Sequence, residues 1–372
     1  MDFIDLKTPY HLIQDSINAR IKSVLDHGHY ILGPELNELE TRLEDYVGVQ
    51  HCIGVSSGTD ALLIALMACD VGPGDEVITS PFSFVSTLEV ILLLGATPVF
   101  VDIDPRTYNI DTLLLDQVIT EHTKVIVPVS LYGQCADFDR INELANQHEL
   151  LVIEDGAQSF GASYKEHKSC ALSHIGATSF YPSKPLGCFG DGGALFTDNE
   201  ELAIRMRDIR DHGENRRYHH SRLGINGRLD TLQAAILLAK LDLFTSEIEA
   251  RQKVANRYTS LIKKGLKENP ELSHILSVPF IKPENISVYA QYTIEVLNRE
   301  ILQKKMKARG IPTAVHYPSS LHQQPIFAPY RISEDHYPVS ERASSHVLSL
   351  PMHPYLKQSE QEFIVNALLE SN

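Results

Sequence analysis

The sequence predicts an α/β protein with a mostly parallel sheet between helices, followed by a smaller α+β domain at the C-terminus. Three observations predict this fold. Short apolar segments alternate with helical segments over the first part of the chain, a pattern typical of parallel sheets. After Gly193 the pattern changes to longer, more charged helical segments. The length of 372 residues exceeds what one core usually holds, so we expect two domains, residues 1–245 and 246–372.

The elements of the first domain follow in turn along the chain. Short apolar runs bounded by turn residues predict strands at residues 51–56, 76–79, 98–102, 124–129 and 150–154. Helices are predicted between them at residues 59–69, 84–94 and 137–148, the first with Thr59 as its cap and with apolar residues on nearly all faces. Sheets of this kind bind ligands at the carboxyl ends of their strands.

The elements after Gly193 are less regular. They are predicted as a helix at 200–210, a long helix at 229–244 that continues past Ala250, a strand at 291–296 and helices at 300–310 and 361–369. A different unit begins at about Val254, and we therefore place the domain boundary near residue 245.

Composition excludes several classes of function. Lys and Arg number 33 against 48 Asp and Glu, and the net charge of −15 argues against nucleic-acid or anionic-membrane partners. The five cysteines are widely spaced and form no C-x-x-C, so neither a disulfide framework nor a zinc site is expected. The histidines lack metal-ligand spacing, and no apolar run reaches the ~20 residues of a membrane helix. The first ten residues are unlike a signal peptide, so we expect a cytoplasmic protein.

Two polar segments follow predicted strands. Ser56-Ser57-Gly58-Thr59-Asp60 stands where a strand turns into a helix, and its backbone N–H groups and hydroxyls could bind a phosphate. An ordinary capping turn is the alternative. Glu154 and Asp155 directly follow the apolar residues 150–153 of a predicted strand, where a desolvated carboxylate needs a cationic partner such as a protonated ring nitrogen. A turn acid that caps a helix is the alternative.

One lysine stands apart from other charges. Lys184 lies between Pro182 and Pro185 in a Gly-rich stretch, and a desolvated lysine with a lowered pKa can attack carbonyl groups. A surface lysine in a loop is the alternative. The stretch fits neither a Walker loop nor a dinucleotide-binding glycine motif.

A basic segment and a pair of polar rings complete the candidates. Residues 205–228 hold seven arginines against three acids, and arginine suits carboxylate and phosphate groups. We assign Arg205 and Arg207 to a solvated helix and favour a functional role for Arg228. His316 and Tyr317 could present two rings to a ligand, or be satisfied loop residues.

Five motifs stand in one order along the chain: S-G-T-D-A-L, E-D-G-A-Q-S-F-G-A, S-F-Y-P-S-K-P-L-G with G-D-G-G, G-I-N-G-R-L-D-T-L-Q-A-A and H-Y-P. Together they resemble the nucleotide-sugar aminotransferases of the DegT/DnrJ/EryC1/StrS family over essentially the whole chain. The resemblance implies the aspartate-aminotransferase fold (type I), pyridoxal 5'-phosphate as cofactor and a homodimer. Segments 3–7, 27–35, 216–220, 285–293 and 352–355 resemble the branch that aminates a UDP-linked 3-oxo uronate sugar for bacterial surface polysaccharides.

The resemblance also implies roles around the cofactor. Lys184 would bind it covalently and shuttle the proton, and Asp155 would pair with its ring nitrogen. The other cofactor-binding residues would be Phe84 and Gln158 against the ring, and Gly58, Thr59, Ser179 and, from the neighbouring subunit, Asn226 at the phosphate.

The implied nucleotide-sugar site consists of Gly28, Tyr30, Ser183, Arg228, His316 and Tyr317. Arg228, from the partner chain, would bind a carboxylate of the uronate or of the amino donor, for which L-glutamate is expected. Two positions depart from the family pattern. Gly156 replaces an Ala and is expected to loosen its turn, and Ile225 replaces a Tyr and is expected to alter contacts across the dimer.

Two other functions stay open. The chain could aminate a 4-oxo deoxysugar nucleotide, or be a non-catalytic regulatory protein on the same fold. Lys184 disfavours a related dehydratase, since the dehydrating relatives lack the lysine.

Overall fold

A computed structural model describes residues 1–330 and 336–370. The central sheet consists of β1 His51–Val55, β2 Glu76–Thr79, β3 Thr97–Phe100, β4 Thr123–Ile126, β5 Leu151–Asp155, β6 Ile175–Ser179 and β7 Gly193–Thr197. Their order across the sheet is β1-β7-β6-β5-β4-β2-β3. β7 runs antiparallel to β1 and β6, while the other neighbours pair in parallel. The predicted α/β class with a mostly parallel sheet is confirmed.

Helices cover both faces of this sheet. They are α1 Lys7–Leu12, α2 Gln14–His27, α3 Pro34–Val47, α4 Gly58–Ala68, α5 Val85–Leu93, α6 Phe138–Gln147, α7 Glu200–Arg210 and α8 Thr231–Glu268. Successive strand residues face opposite sides. Val77 and Ile153 therefore pack with α4, α5 and α7, and Ile78 and Val152 pack with α3, α6 and α8. This two-sided burial explains the continuous apolar runs of the strands.

A second core forms towards the C-terminus. It surrounds an antiparallel sheet of β8 Ile275–Ser277, β9 Tyr292–Val296 and β10 Val347–Leu350, together with α9 Arg299–Ala308, α10 Pro338–His346 and α11 Gln358–Leu369. The 38-residue α8 joins both cores, because Phe244 packs beneath the central sheet whereas Tyr258 packs in the C-terminal core. Residue 245 falls inside α8, and the domain boundary stays a prediction.

The remaining elements are short. They are the strands Ser163–Tyr164, His167–Lys168, Glu214–Arg216, His219–His220 and Asn285–Ile286 and the 3-10 segments Leu115–Gln117, Leu131–Gly133, Leu321–Gln323 and Pro325–Tyr330. Within the described ranges, no helix is both long and apolar enough to cross a membrane.

The cap of α4 differs from the prediction. Ser57, not Thr59, is the capping residue, and its hydroxyl accepts a hydrogen bond from the Asp60 amide at 3.0 Å. The helix starts one residue earlier than predicted, so Thr59 lies within its first turn.

Candidate active site

A pocket of about 490 Å³ lies where the parallel strands end, between the central sheet and the segment around His316. β5 ends at Asp155, β6 ends at Ser179, and α4 begins at Gly58 directly after β1. Ten of the residues predicted for the site line this pocket: Gly58, Thr59, Phe84, Asp155, Gln158, Ser179, Ser183, Lys184, His316 and Tyr317. The carboxyl edge of the sheet thus brings together segments far apart in sequence, as expected for this fold class.

The N-terminus of α4 forms one end of the pocket. A Cβ on Gly58 would come within 2.6 Å of the Ser179 Cβ, so only glycine lets this side chain lie against the helix terminus. Helix N-termini present unpaired N–H groups and a partial positive charge. Together with the Ser179 and Thr59 hydroxyls, this end of the pocket suits an anionic group.

Asp155 is the buried carboxylate of the pocket, with 5% of its surface exposed. Its Oδ2 accepts a hydrogen bond from the Thr87 hydroxyl at 3.0 Å, and its Oδ1 accepts one from the Ala157 amide at 3.1 Å. Burial raises the pKa of Asp155, and the two donors and the charge of Lys184 oppose that rise. A positively charged ligand atom would therefore be stabilised here.

Glu154, its neighbour in β5, faces the other side of the sheet. Its carboxylate accepts hydrogen bonds from the Ser169 hydroxyl at 2.6 Å and the Cys170 amide at 2.7 Å. Burial raises the pKa of Glu154 to about 7. Of the two acids in the motif, only Asp155 lines the pocket.

Lys184 approaches the pocket from the loop between β6 and β7. Its amide donates a hydrogen bond to the Tyr181 carbonyl at 2.8 Å, which closes a turn. Burial lowers the pKa of the Lys184 amine, although the charge of Asp155 opposes this. A lysine of this kind is a nucleophile for carbonyl carbon.

Gln158, Tyr317 and the backbone of Tyr132 form a hydrogen-bonded chain at another part of the pocket wall. The Gln158 amide donates to the Tyr317 hydroxyl at 3.0 Å, and the Tyr132 backbone N–H donates to Gln158 Oε1 at 2.8 Å. The Phe84 ring, which is 55% exposed, lies 6.2 Å from the Tyr317 ring. Burial, helped by the charge of Lys184, lowers the pKa of His316 to about 4. Its imidazole is therefore neutral at neutral pH.

The model of the DegT/DnrJ/EryC1/StrS aminotransferase family matches residues 11–369. The chain belongs to this family. It is 56% identical to the UDP-2-acetamido-2-deoxy-3-oxo-D-glucuronate aminotransferase of Pseudomonas aeruginosa, over 99% of both chains. It is 41% identical to a protein of Geobacillus stearothermophilus named pleiotropic regulatory protein, over 99% of this chain and 97% of the other. Among solved structures, ntda from Bacillus subtilis with bound cofactor PMP has a TM-score of 0.91 at 31% identity, with 100% of this chain and 85% of that one covered.

DegT/DnrJ/EryC1/StrS aminotransferases depend on pyridoxal 5'-phosphate, and their structures have the type I fold predicted here. The pocket residues fit this cofactor. Lys184 suits its aldehyde, the α4 terminus beside Ser179 suits its phosphate, and Asp155 suits its protonated ring nitrogen. The exposed Phe84 ring offers a flat apolar surface for the cofactor ring.

Four residues predicted for the aminotransferase site do not line the pocket of the single chain: Gly28, Tyr30, Asn226 and Arg228. Gly28, Tyr30 and Asn226 are exposed. The Arg228 guanidinium forms an ion pair with Asp211. Asn226 and Arg228 were expected to act in the neighbouring subunit, so the roles of all four stay predictions.

The basic segment is largely neutralised by neighbouring acids. Arg205 forms ion pairs with Asp70 and Glu201. Arg210 pairs with Glu40, and Arg222 pairs with Asp208. The exposed positive charge that remains lies on the hairpin that carries Arg216 and Arg217.

The Gly156 turn is well fixed rather than loosened. The Gly156 amide donates to the Ala177 carbonyl at 2.7 Å, and a Cβ at this position would come within 2.6 Å of the Cys170 Sγ. The Ala common in the family would require Cys170 to move.

Several pocket residues escaped the sequence analysis. They are Leu62, Ser83, Ser86, Val129, Ala157, Ala177, Thr178, Tyr181, Asp191 and Gln291, together with Thr87 and Tyr132 just behind the wall. Ser57 also lines the pocket, and it lies in the segment that the sequence analysis considered for phosphate binding. Most of the missed residues are small hydroxyl or apolar residues inside ordinary elements, which no local pattern distinguishes. Asp191, in the G-D-G-G segment quoted above, had a local signal.

Proposed function

We propose that this aminotransferase converts UDP-2-acetamido-2-deoxy-3-oxo-D-glucuronate to the 3-amino sugar, with L-glutamate as the donor. The observation that carries the proposal is the pairing of Lys184 and Asp155 in one pocket, in a chain 56% identical over 99% of its length to an enzyme of that name. We place the reaction in the cytoplasm, in the synthesis of bacterial surface-polysaccharide (O-antigen) precursors.

Lys184 is the catalytic group of the proposed reaction. When bound, pyridoxal phosphate supplies an aldehyde that takes up amino groups and a ring that withdraws electrons. Burial lowers the pKa of Lys184, which increases the fraction of its amine that is unprotonated. With the cofactor bound, the Nζ atom would accept the proton that the α-carbon of the donor releases. In the second half-reaction it moves a proton to the sugar carbon.

The other pocket residues hold groups in place. Asp155 holds a positive charge at the ring nitrogen, and Thr87 and Ala157 fix the direction of its carboxylate. Gly58, Thr59 and Ser179 bind the phosphate, and Phe84 and Gln158 flank the ring. Ser183, His316 and Tyr317 line the side that faces the sugar.

We propose a homodimer in which each site is shared. Asn226 would reach the phosphate of the partner's site, and Arg228 a carboxylate of the sugar or donor. Two features support this assignment. Tyr30, Ile31 and Leu32 form a run of exposed apolar side chains, and Tyr218, at the turn of the basic hairpin, is 82% exposed. Such surfaces usually become buried in an interface. Gly28 and Tyr30 would complete the nucleotide-sugar site there.

The substrate assay tests the proposed function. Purified enzyme with L-glutamate should form 2-oxoglutarate and a 3-amino sugar nucleotide from the oxo-uronate, detected by mass spectrometry. Turnover of a 4-oxo deoxysugar nucleotide alone would favour the runner-up. A regulatory role is the third candidate, since one relative carries a regulatory name, and no turnover of either sugar would favour it.

A further inference from the structure

The Lys184 loop, which joins β6 to β7, is bound to α8 by two side chains. The Lys240 ammonium donates a hydrogen bond to the Gly187 carbonyl. The side-chain oxygen of Gln233 accepts one from the Phe189 amide at 2.9 Å. Gln233 and Lys240 are about two turns apart on α8, so they lie on the same face of the helix. This face of α8 therefore binds the loop at two points that follow Lys184 closely.

Gly187 lies against the turn that presents Lys184. The Lys184 amide closes this turn by donating to the Tyr181 carbonyl at 2.8 Å. A Cβ on Gly187 would come within 2.7 Å of the Tyr181 carbonyl oxygen and within 2.6 Å of the Pro182 carbonyl oxygen. The two sides of the loop thus lie close together, and a displacement of Gly187 would displace the backbone of Lys184.

The loop depends on α8 for part of its backbone hydrogen bonding. Pro182 and Pro185 have no N–H group to donate. The Cys188 amide donates to the Phe180 carbonyl at 2.8 Å, which closes the base of the loop. The next groups outward, the carbonyl before Cys188 and the amide after it, have the two α8 side chains as partners.

Burial of the Lys240 charge is unfavourable by itself. The side chain is 9% exposed, and burial lowers the pKa of its amine, although the charge of Glu247 opposes this. Leu237 and Leu241 pack beside it in the core beneath the central sheet. An apolar residue at position 240 would pack there without desolvating a charge. Unfavourable burial of this kind is expected where a residue serves a function.

We propose that Lys240 and Gln233 are positioning residues for Lys184. By binding the loop backbone to α8, they hold the Lys184 Nζ atom where it accepts the proton from the α-carbon of the donor. The inference rests on the proposed function. Misplacing a catalytic group by about 1 Å can slow a reaction about 100-fold. Both side chains bind backbone atoms of the loop, so they should affect proton transfer and not the binding of substrate.

Hydrogen exchange of the full chain, with and without bound pyridoxal phosphate, tests the anchoring. Lys240→Met removes the ammonium and keeps a side chain of similar length. A hydrogen bond from a charged donor corresponds to a factor of about 10 to 100 in an equilibrium constant, so the amides of the Lys184 loop should exchange faster by about that factor.

Tyr258→Phe is the matched control for hydrogen exchange. It also removes a buried hydrogen bond from α8 to a backbone carbonyl, that of Pro351 at 3.0 Å, but in the C-terminal core. This variant should leave the exchange of the Lys184 loop unchanged. Equal acceleration in Tyr258→Phe and Lys240→Met, or no acceleration in Lys240→Met, would overturn the proposal.

The half-reaction with L-glutamate tests the effect on Lys184. In Lys240→Met we expect the limiting rate to fall about 10- to 100-fold and the half-saturating glutamate concentration to stay within about twofold. Glutamate deuterated at the α-carbon should slow the variant at least as much as the wild type, because proton removal is the step that is impaired. An unchanged limiting rate, a loss confined to glutamate affinity or a smaller isotope effect in the variant would overturn the proposal.

Gln233 provides a second test, which does not require Lys240→Met to fold. Gln233→Met removes the acceptor of the Phe189 amide, and Gln233→Glu keeps an oxygen there. A neutral hydrogen bond corresponds to a factor of about 3 to 10, so Gln233→Met should accelerate exchange at Phe189 and slow the half-reaction by about that factor. Gln233→Glu should resemble the wild type, and equal losses in both variants would overturn the role of Gln233. A chain that binds no pyridoxal phosphate would overturn the proposed function, whereas hydrogen exchange would still show whether α8 holds the loop.

Discussion

The Thr87 hydroxyl donates a hydrogen bond to Oδ2 of Asp155 at a distance of 3.0 Å. Thr87 lies on α5 and Asp155 at the end of β5, so a helix and a strand jointly set the direction of the carboxylate. Thr87 is itself buried, and the contact is therefore shielded from solvent. The side of the carboxylate that faces the pocket can therefore bind a cationic group.

Replacing Thr87 by Val should weaken cofactor binding about 10- to 100-fold, because a hydrogen bond to a charged group is worth roughly 1.5–3 kcal/mol. The loss of this donor also lets the pKa of Asp155 rise further. Titration of the cofactor-free protein with pyridoxal phosphate measures the affinity. The matched control is Thr197→Val, a buried threonine whose hydroxyl donates to the His174 carbonyl at 2.7 Å outside the pocket. Equal weakening in both variants would contradict the assigned role.

Gly58→Ala should reduce cofactor affinity more strongly than it reduces stability. The added Cβ would come within 2.6 Å of the Ser179 Cβ and displace that side chain from the anion site. Gly72→Ala is the control, because a Cβ there meets nothing within 4 Å. Cofactor affinity and thermal unfolding of both variants check this. Unchanged affinity in Gly58→Ala would place the phosphate elsewhere.

The free energy of unfolding should fall as the pH rises from about 4.5 to about 7, because the buried Glu154 loses its proton over this range. Its folded-state pKa of about 7 is higher than the ordinary value of 4.5, so the folded state holds the proton more tightly than the unfolded state. This stabilisation is present in full below the unfolded-state pKa and is lost as the pH rises through the folded-state pKa. The loss amounts to about 3 kcal/mol.

Glu154→Gln removes this titration. Denaturant unfolding at pH 5 and pH 8 should show a smaller fall in stability for the variant than for the wild type. The exposed Glu362 provides a control, since Glu362→Gln should retain the wild-type fall. A fall of the same size in Glu154→Gln would show that other groups cause it.

Arg228→Ala should lower kcat/KM for the oxo-uronate far more than kcat/KM for a neutral oxo sugar. A buried or half-buried charge pair with a substrate carboxylate is worth several kcal/mol, and a neutral sugar does not form it. Steady-state kcat/KM for the two sugars measures the difference, and Arg228→Lys tests whether the forked guanidinium is required. Equal losses on both sugars would remove Arg228 from uronate recognition.

The sequence predicted the parallel strands well because their apolar runs are buried on both faces. β2 begins and ends as predicted at Glu76 and Thr79. β6 and β7 were not predicted, since Ile175–Ser179 and Gly193–Thr197 are rich in small and polar residues and their burial comes from neighbours distant in sequence. The three N-terminal helices also went unpredicted.

The site was predictable only in part, for a similar reason. Lys184 and Asp155 lie in local patterns that carry chemistry. Thr87 acts through a contact between a helix and a strand, and nothing in its own segment marks it. A hydroxyl partner of this kind becomes visible only when the fold brings it to within hydrogen-bond distance.

The visible absorption spectrum of the purified enzyme, with and without L-glutamate, tests the central claim most directly. We predict a visible band from cofactor bound covalently to Lys184, which glutamate shifts as the amino group is transferred. Lys184→Ala should lack the band of the wild type and should not respond to glutamate in the same way. A wild-type protein that stays colourless and unresponsive after incubation with pyridoxal phosphate would contradict the account.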